Sequence, residues 1–111
     1  MAGLNKESEI FQRLYTVIES RKGSSPDDSY SAALLSAGIE KVAQKLGEEA
    51  METVVAITKG DTKEIIHESA DLIFHLLVAW AANNIQPEEV WAELSNREGT
   101  SGITEKALRQ G

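Results

Sequence analysis

A chain of 111 residues with 41% apolar content holds material for one modest core, and a single domain over residues 1–111 is expected. It has no cysteine, which excludes disulfides and thiolate metal sites and is compatible with a reducing compartment. Its 18 acidic against 11 basic residues, a formal charge of −7, disfavour nucleic acid and anionic membrane as partners, since phosphate contacts need clustered Lys and Arg. An anionic substrate then has to be drawn in by metal ions and a few local cations. The opening Met1-Ala2-Gly3-Leu4-Asn5-Lys6-Glu7 has no basic flank leading into an apolar run, and no stretch reaches about 18 uncharged apolar residues, so an unexported cytoplasmic protein is the expectation.

Leu4 to Lys22 carries Ile10, Leu14, Val17 and Ile18 at helical spacing, with Phe11 and Tyr15 beside them, and predicts an amphipathic first helix. Gly23 to Ser29 is dense in Gly, Ser, Pro and Asp and reads as a loop. Ser29 or Ser31, flanking Tyr30, suits the cap of a short helix through Leu34 and Leu35 that stops at Gly38.

Ile39 to Lys59 predicts a long helix. On a wheel centred on Leu46, the residues Ile39, Val42, Ala43, Ala50, Val54 and Ile57 fall within about 80° and form the stripe expected to face the core. Lys41, Lys45, Glu48, Glu49 and Glu52 lie beside that stripe. Gly60 suits the position just past the helix, and Asp61 with Glu64 fits capping-box spacing, with Asp in place of Ser or Thr.

Thr62 to about Asn83 predicts a further helix, apolar over most of its circumference around Leu72, Ile73 and Leu76 to Trp80; such a helix sits centrally in a bundle or at a subunit interface. Glu64, Glu68, Asp71 and His75 fall within roughly 60° at the edge of this band. Pro87 opens a last strong helix with Val90, Trp91 and Leu94. Beyond Asn96 the chain is polar, with Gly99 to Gly102 as a loop and a final helical turn near Ala107 and Leu108. The fold class is an all-α bundle of four to five helices. Its apolar band is too broad for a monomer of this size to hide, which predicts a homodimer and leaves open whether a site draws on both chains.

Glu49 and Glu52 stand one turn apart, Glu48 flanks them, and Glu68 and Asp71 repeat the three-residue spacing on the next helix. If the two helices form an antiparallel hairpin about Gly60-Asp61, up to five carboxylates share one groove. Like charges so gathered repel and call for a cation, and hard oxygen donors suit Mg²⁺ or Mn²⁺ better than zinc. A di-iron carboxylate bundle would want Glu-x-x-His on paired helices, whereas here His75 follows Asp71 at four and the preceding helix has no equivalent. Against this stands the plain alternative that Glu on a helix faces water and that Lys45 pairs with Glu48 or Glu49 for about 0.2–0.5 kcal/mol. The matched spacing on two helices joined by a tight turn favours the metal site. His67 is placed about 100° from the carboxylates and outside the site.

Glu48-Glu49-x-x-Glu52 followed by Glu68-x-x-Asp71 resembles the signature of the all-α nucleoside triphosphate pyrophosphohydrolases, which include the MazG-type enzymes and dimeric dUTPases. Within them, Ser29-Tyr30-Ser31, the Lys41 to Ala50 block with Lys45-Leu46-Gly47-Glu48-Glu49, Ala70-Asp71-Leu72-Ile73-Phe74-His75 and Arg97-Glu98-Gly99-Thr100-Ser101-Gly102 are similar to the phosphoribosyl-ATP pyrophosphatases of histidine biosynthesis. The resemblance implies hydrolysis of phosphoribosyl-ATP to phosphoribosyl-AMP and pyrophosphate with Mg²⁺ present. Glu49, Glu52, Glu68 and Asp71 would hold the metal, and Glu48 would support the ligands or orient water, the division between Glu48 and Glu49 remaining open. Lys41, Lys45, His75, Tyr30 and Arg97 are the substrate-binding candidates; each has a structural alternative, respectively ion pairing for the lysines, core packing for His75 and Tyr30, and a tail position for Arg97. The rival activities are a housekeeping (d)NTP pyrophosphohydrolase of the same superfamily and a non-catalytic helical interaction module.

Overall fold

Serine, glycine, aspartate and proline mark the places where the helices begin and end. The computed structural model describes residues 6–98, and among these there are five helices and no strand: α1 (Lys6–Ser20), α2 (Tyr30–Ala37), α3 (Ile39–Lys59), α4 (Thr62–Ala82) and α5 (Pro87–Arg97). The expected Gly99–Gly102 loop and the turn near Ala107 lie outside the described residues. Of the two serines at the start of α2, Ser29 is the cap, its Oγ accepting from the Ala32 N–H at 3.0 Å, while Ser31 is buried. Gly38 joins α2 to α3 at φ +104°, a conformation that favours glycine.

The α3–α4 turn sets the architecture. Gly60 adopts the left-handed conformation at φ +73°, and its N–H donates to the carbonyls of Ala56 and Ile57, both at 3.1 Å. Asp61 then caps α4 by accepting from the Glu64 N–H at 3.2 Å. Two helices of 21 residues are thereby folded back on each other and share the most extensive contact in the molecule. At α5, Pro87 occupies the first turn as expected; the Glu89 carboxylate adds a cap that spacing alone did not suggest, accepting from the Gln86 N–H at 2.9 Å.

The core gathers Tyr15 and Ile18 from α1, Leu34 from α2, Val42 from α3, and Leu77, Val78 and Ala81 from α4. By length and composition α4 would pass for a membrane span, but it carries Glu68, Asp71 and His75 and packs against α1, α2 and α3 as the central helix of the bundle. Trp91 of α5 meets Trp80 and Phe11 edge-on, at 5.8 and 5.3 Å between ring centres. Tyr15 closes the base of α1: its hydroxyl lies 2.5 Å from the Ile85 carbonyl and 2.8 Å from the Glu19 carboxylate, and burial, then Glu19, pushes its ionisation well up. Tyr15→Phe is expected to cost about 1–2 kcal/mol by leaving the Ile85 carbonyl without that donor. A lower urea midpoint at unchanged slope checks this; an unchanged midpoint removes the clamp from the account.

Two stripes differ from expectation. On α1, Tyr15 and Ile18 turn inward while Ile10, Leu14 and Val17 are exposed. On α3, only Val42 of the Leu46-centred stripe is buried; Leu46 and Ala50 are half-buried, and Ile39, Ala43, Val54 and Ile57 are exposed. The inward line runs instead through Val42, Glu49, Thr53 and Ala56. Close approach of α3 to α4 selects that line, which carries Thr and Ala where the backbones meet, and leaves the bulkier apolar side uncovered within one chain.

Candidate functional site

The hairpin brings Glu49 of α3 opposite Glu68 and Asp71 of α4. One oxygen from each of the three carboxylates lies within 4.8 Å of the other two. Glu49 is only 8% exposed, and Glu68 and Asp71 are half-buried. Thr53, one turn after Glu49, ties the pair of helices at this level: its Oγ is 2.8 Å from the Glu49 carbonyl and 3.2 Å from the Glu68 carbonyl. Sequence reasoning passed over Thr53. Its position four residues after Glu49, on the inward side of α3, was the available signal.

The cluster is short of positive charge. Glu68 Oε1 is buried with no hydrogen-bond partner among the described residues. Desolvation, then the charges of Glu52 and Glu49 and a hydrogen bond with Glu52, hold the Glu68 carboxyl above its usual range, and His67 works weakly the other way. An ion with oxygen ligands at about 2.0–2.6 Å separates opposed oxygens by about 4–5 Å, so the observed spacing fits one hard divalent cation without movement of the backbone. Three oxygen donors converging beside an orphaned carboxylate oxygen could hold such an ion. Glu52 is exposed and adjoins Glu68 at the rim.

A groove of about 260 Å³ is lined by Tyr30, Ala33, Leu34, Ala37, Lys41 and Lys45. Lys45 reaches Glu48 at 3.2 Å, and that hydrogen bond, with the Glu48 charge, holds the ammonium above its ordinary value. Glu48 is exposed and turned away from the cluster toward Gln44 and Lys45, whose hydrogen bonds hold its carboxylate below the usual range. The adjacent glutamates are thus distinct: Glu49 converges with α4, and Glu48 accompanies the lysines. His75 is 6% exposed; its Nδ1 lies 2.8 Å from the Asp71 carbonyl and its Nε2 2.8 Å from the Tyr30 hydroxyl.

Residues 11–98 match the model of a family described as phosphoribosyl-ATP pyrophosphohydrolase. The chain belongs to this family. It is 55% identical over 104 residues to the phosphoribosyl-ATP pyrophosphatase of Paramagnetospirillum magneticum, covering 94% of this chain and 95% of the relative. It is 53% identical over 106 residues to that of Geobacter metallireducens, covering 96% and 97%. To that of Parvibaculum lavamentivorans it is 55% identical over 103 residues, covering 93% and 94%. The resemblance drawn from the acidic motif and the Lys-Leu-Gly-Glu-Glu-Ala block therefore holds over nearly the whole chain.

In this phosphoribosyl-ATP pyrophosphohydrolase family member one residue sits otherwise than the wheel suggested, and one residue chosen from a motif stands apart from the carboxylates. His67 is not remote from the carboxylates: its Nε2 lies 3.4 Å from Asp71 Oδ2. The wheel had set it about 100° from the carboxylates, yet Asp71 follows at four residues, where helical side chains meet. Arg97 is not brought to the cluster. It ends α5, a helix that packs on α1, and its Nε donates to Glu93 at 3.2 Å.

Proposed function

We propose that this chain hydrolyses phosphoribosyl-ATP to phosphoribosyl-AMP and pyrophosphate in the cytoplasm, the second step of histidine biosynthesis, with Mg²⁺ held by Glu49, Glu52, Glu68 and Asp71 and Mn²⁺ able to replace it. The observation that carries this reading is the convergence of Glu49, Glu68 and Asp71 within 4.8 Å on a chain of this family. A bound divalent cation supplies neutralisation of phosphate oxygens, stabilisation of developing charge and an acidified water. Glu49 and Asp71 fix the position of the ligating oxygens from rigid helices, and Thr53 keeps the helices in register. Lys41 and Lys45 present ammonium donors to the phosphates that the carboxylates would otherwise repel. Glu48, with its lowered pKa, suits orienting a water better than taking its proton. For Arg97, support comes from its Arg-Glu-Gly-Thr-Ser-Gly segment rather than from its placement.

Pyrophosphate release from phosphoribosyl-ATP, measured beside ordinary dNTPs with and without Mg²⁺, tests the assignment. Metal-dependent release that is faster with phosphoribosyl-ATP is the expected result. Equal or faster turnover of dNTPs indicates a housekeeping pyrophosphohydrolase, and no release with any divalent metal indicates an interaction module.

The uncovered apolar side of α3, with Met51, Val54, Val55 and Ile57, together with Ile66 of α4 at 66% exposure, supports assembly as a homodimer. Sedimentation at micromolar concentration is expected to give the dimer mass; a monomer alone counts against it.

A further inference from the structure

His75 is buried beside Asp71, yet neither ring nitrogen belongs to the carboxylate cluster. The Asp71 carbonyl can only accept, so Nδ1 at 2.8 Å from it carries the proton; Nε2 of the neutral ring is then an acceptor, and the Tyr30 hydroxyl 2.8 Å away donates to it. Both nitrogens are engaged, leaving none for a phosphate. Tyr30 opens α2 and is 50% exposed. Phe74 stacks against it at 6.1 Å and 27°, His75 meets it edge-on at 5.6 Å and 76°, and the phenol forms a wall of the groove that also carries Lys41 and Lys45.

We infer that His75 serves the reaction through Tyr30, as a positioning residue: it locks the phenol as the base-stacking wall of the groove and ties that wall to the backbone of Asp71. The inference rests on the proposed hydrolysis of phosphoribosyl-ATP. A flat π surface flanked by two ammonium groups fits a planar purine attached to anionic phosphates. A half-exposed tyrosine at a helix start would lose side-chain freedom when a base stacks on it; the hydrogen bond to His75 removes that freedom beforehand.

A double-mutant cycle on KM for phosphoribosyl-ATP at saturating Mg²⁺ tests this. Tyr30→Phe and His75→Leu are each expected to raise KM about tenfold with a smaller fall in kcat, and the double variant to be no worse than either. His75→Gln, whose amide donates to Asp71 and accepts from Tyr30, restores most of the loss. Effects that multiply in the double variant overturn the inference, because His75 would then contact substrate itself. Should His75→Leu fail to fold, ¹⁵N spectra of the wild-type imidazole decide: protonated Nδ1 with unprotonated Nε2 is expected, and the opposite tautomer overturns the relay. Absence of pyrophosphate release by the wild type would sink the proposed activity, while the spectra still judge the relay.

Discussion

Asp71→Asn is expected to lower kcat/KM for phosphoribosyl-ATP by about 10³-fold or more while the helical circular dichroism of the protein stays unchanged. The amide is the same size as the carboxylate, and the Asp71 backbone carbonyl that receives His75 Nδ1–H is untouched. What is lost is one of three converging charges. A cation at such a site contributes several kcal/mol to stabilising charge in the transition state, and each 1.36 kcal/mol is about tenfold in rate. Glu49→Gln acts on the same cluster from the opposite helix and should give a loss of similar size. Because the two residues act as a unit, the double variant should be little worse than either alone. Full activity in both single variants would remove the cluster from the reaction.

Glu68→Gln is expected to separate activity from stability. Activity should again fall by about 10³-fold. The metal-free variant, however, should melt above the metal-free wild type at pH 7. The sign follows from the raised pKa of Glu68 in the folded chain, caused first by desolvation and then by Glu52 and Glu49. A carboxyl whose folded pKa exceeds its unfolded value favours folding when protonated, and that contribution is lost as pH rises through the folded value. At pH 7 the charge is therefore a liability, which glutamine removes. The gap between variant and wild type should narrow as pH falls through the raised value toward the ordinary carboxylate range. Mg²⁺ should raise the melting temperature of the wild type, by the equivalent of about 2.7 kcal/mol at a hundredfold excess over Kd, and barely move the variant. Thermal scans of both proteins with chelator, at pH 7 and at lower pH, and with Mg²⁺ at pH 7 check all three statements. A variant less stable than wild type under chelation would show that Glu68 is a structural partner.

The helix boundaries were legible because each rests on local chemistry. Ser29, Gly38, Gly60, Asp61 and Pro87 act at single positions, and all five do in the folded chain what their side chains or φ angles dictate. The three-residue spacing of the acidic residues placed Glu49, Glu68 and Asp71 together once the Gly60 turn was granted. Which side of α3 packs was not legible. A wheel weighted by hydrophobicity follows Leu46, Val54 and Ile57, whereas α4 approaches along Val42, Glu49, Thr53 and Ala56, where small and functional side chains permit contact. Hydrophobicity reports burial in the whole assembly and does not distinguish the neighbour within the chain from a partner subunit. The same confusion affected α1, where Ile10, Leu14 and Val17 look like core and are exposed. Glu49 as a ligand and Glu48 in a supporting role were expected, with the division between them left open; the step of about 100° between adjacent helical residues sends Glu49 to the carboxylate cluster and Glu48 to the lysines. His67 was set about 100° from the carboxylates as a group, which overlooked Asp71 one helical turn further on.

Titration of metal-free protein with Mn²⁺, followed by electron paramagnetic resonance, bears most directly on the convergence of α3 and α4 carboxylates around a divalent cation. Wild type should show saturable binding that Mg²⁺ displaces, and Glu49→Gln, on one helix, and Asp71→Asn, on the other, should each weaken it strongly. Saturable binding that survives both substitutions, or no saturable binding in the wild type, would contradict the site.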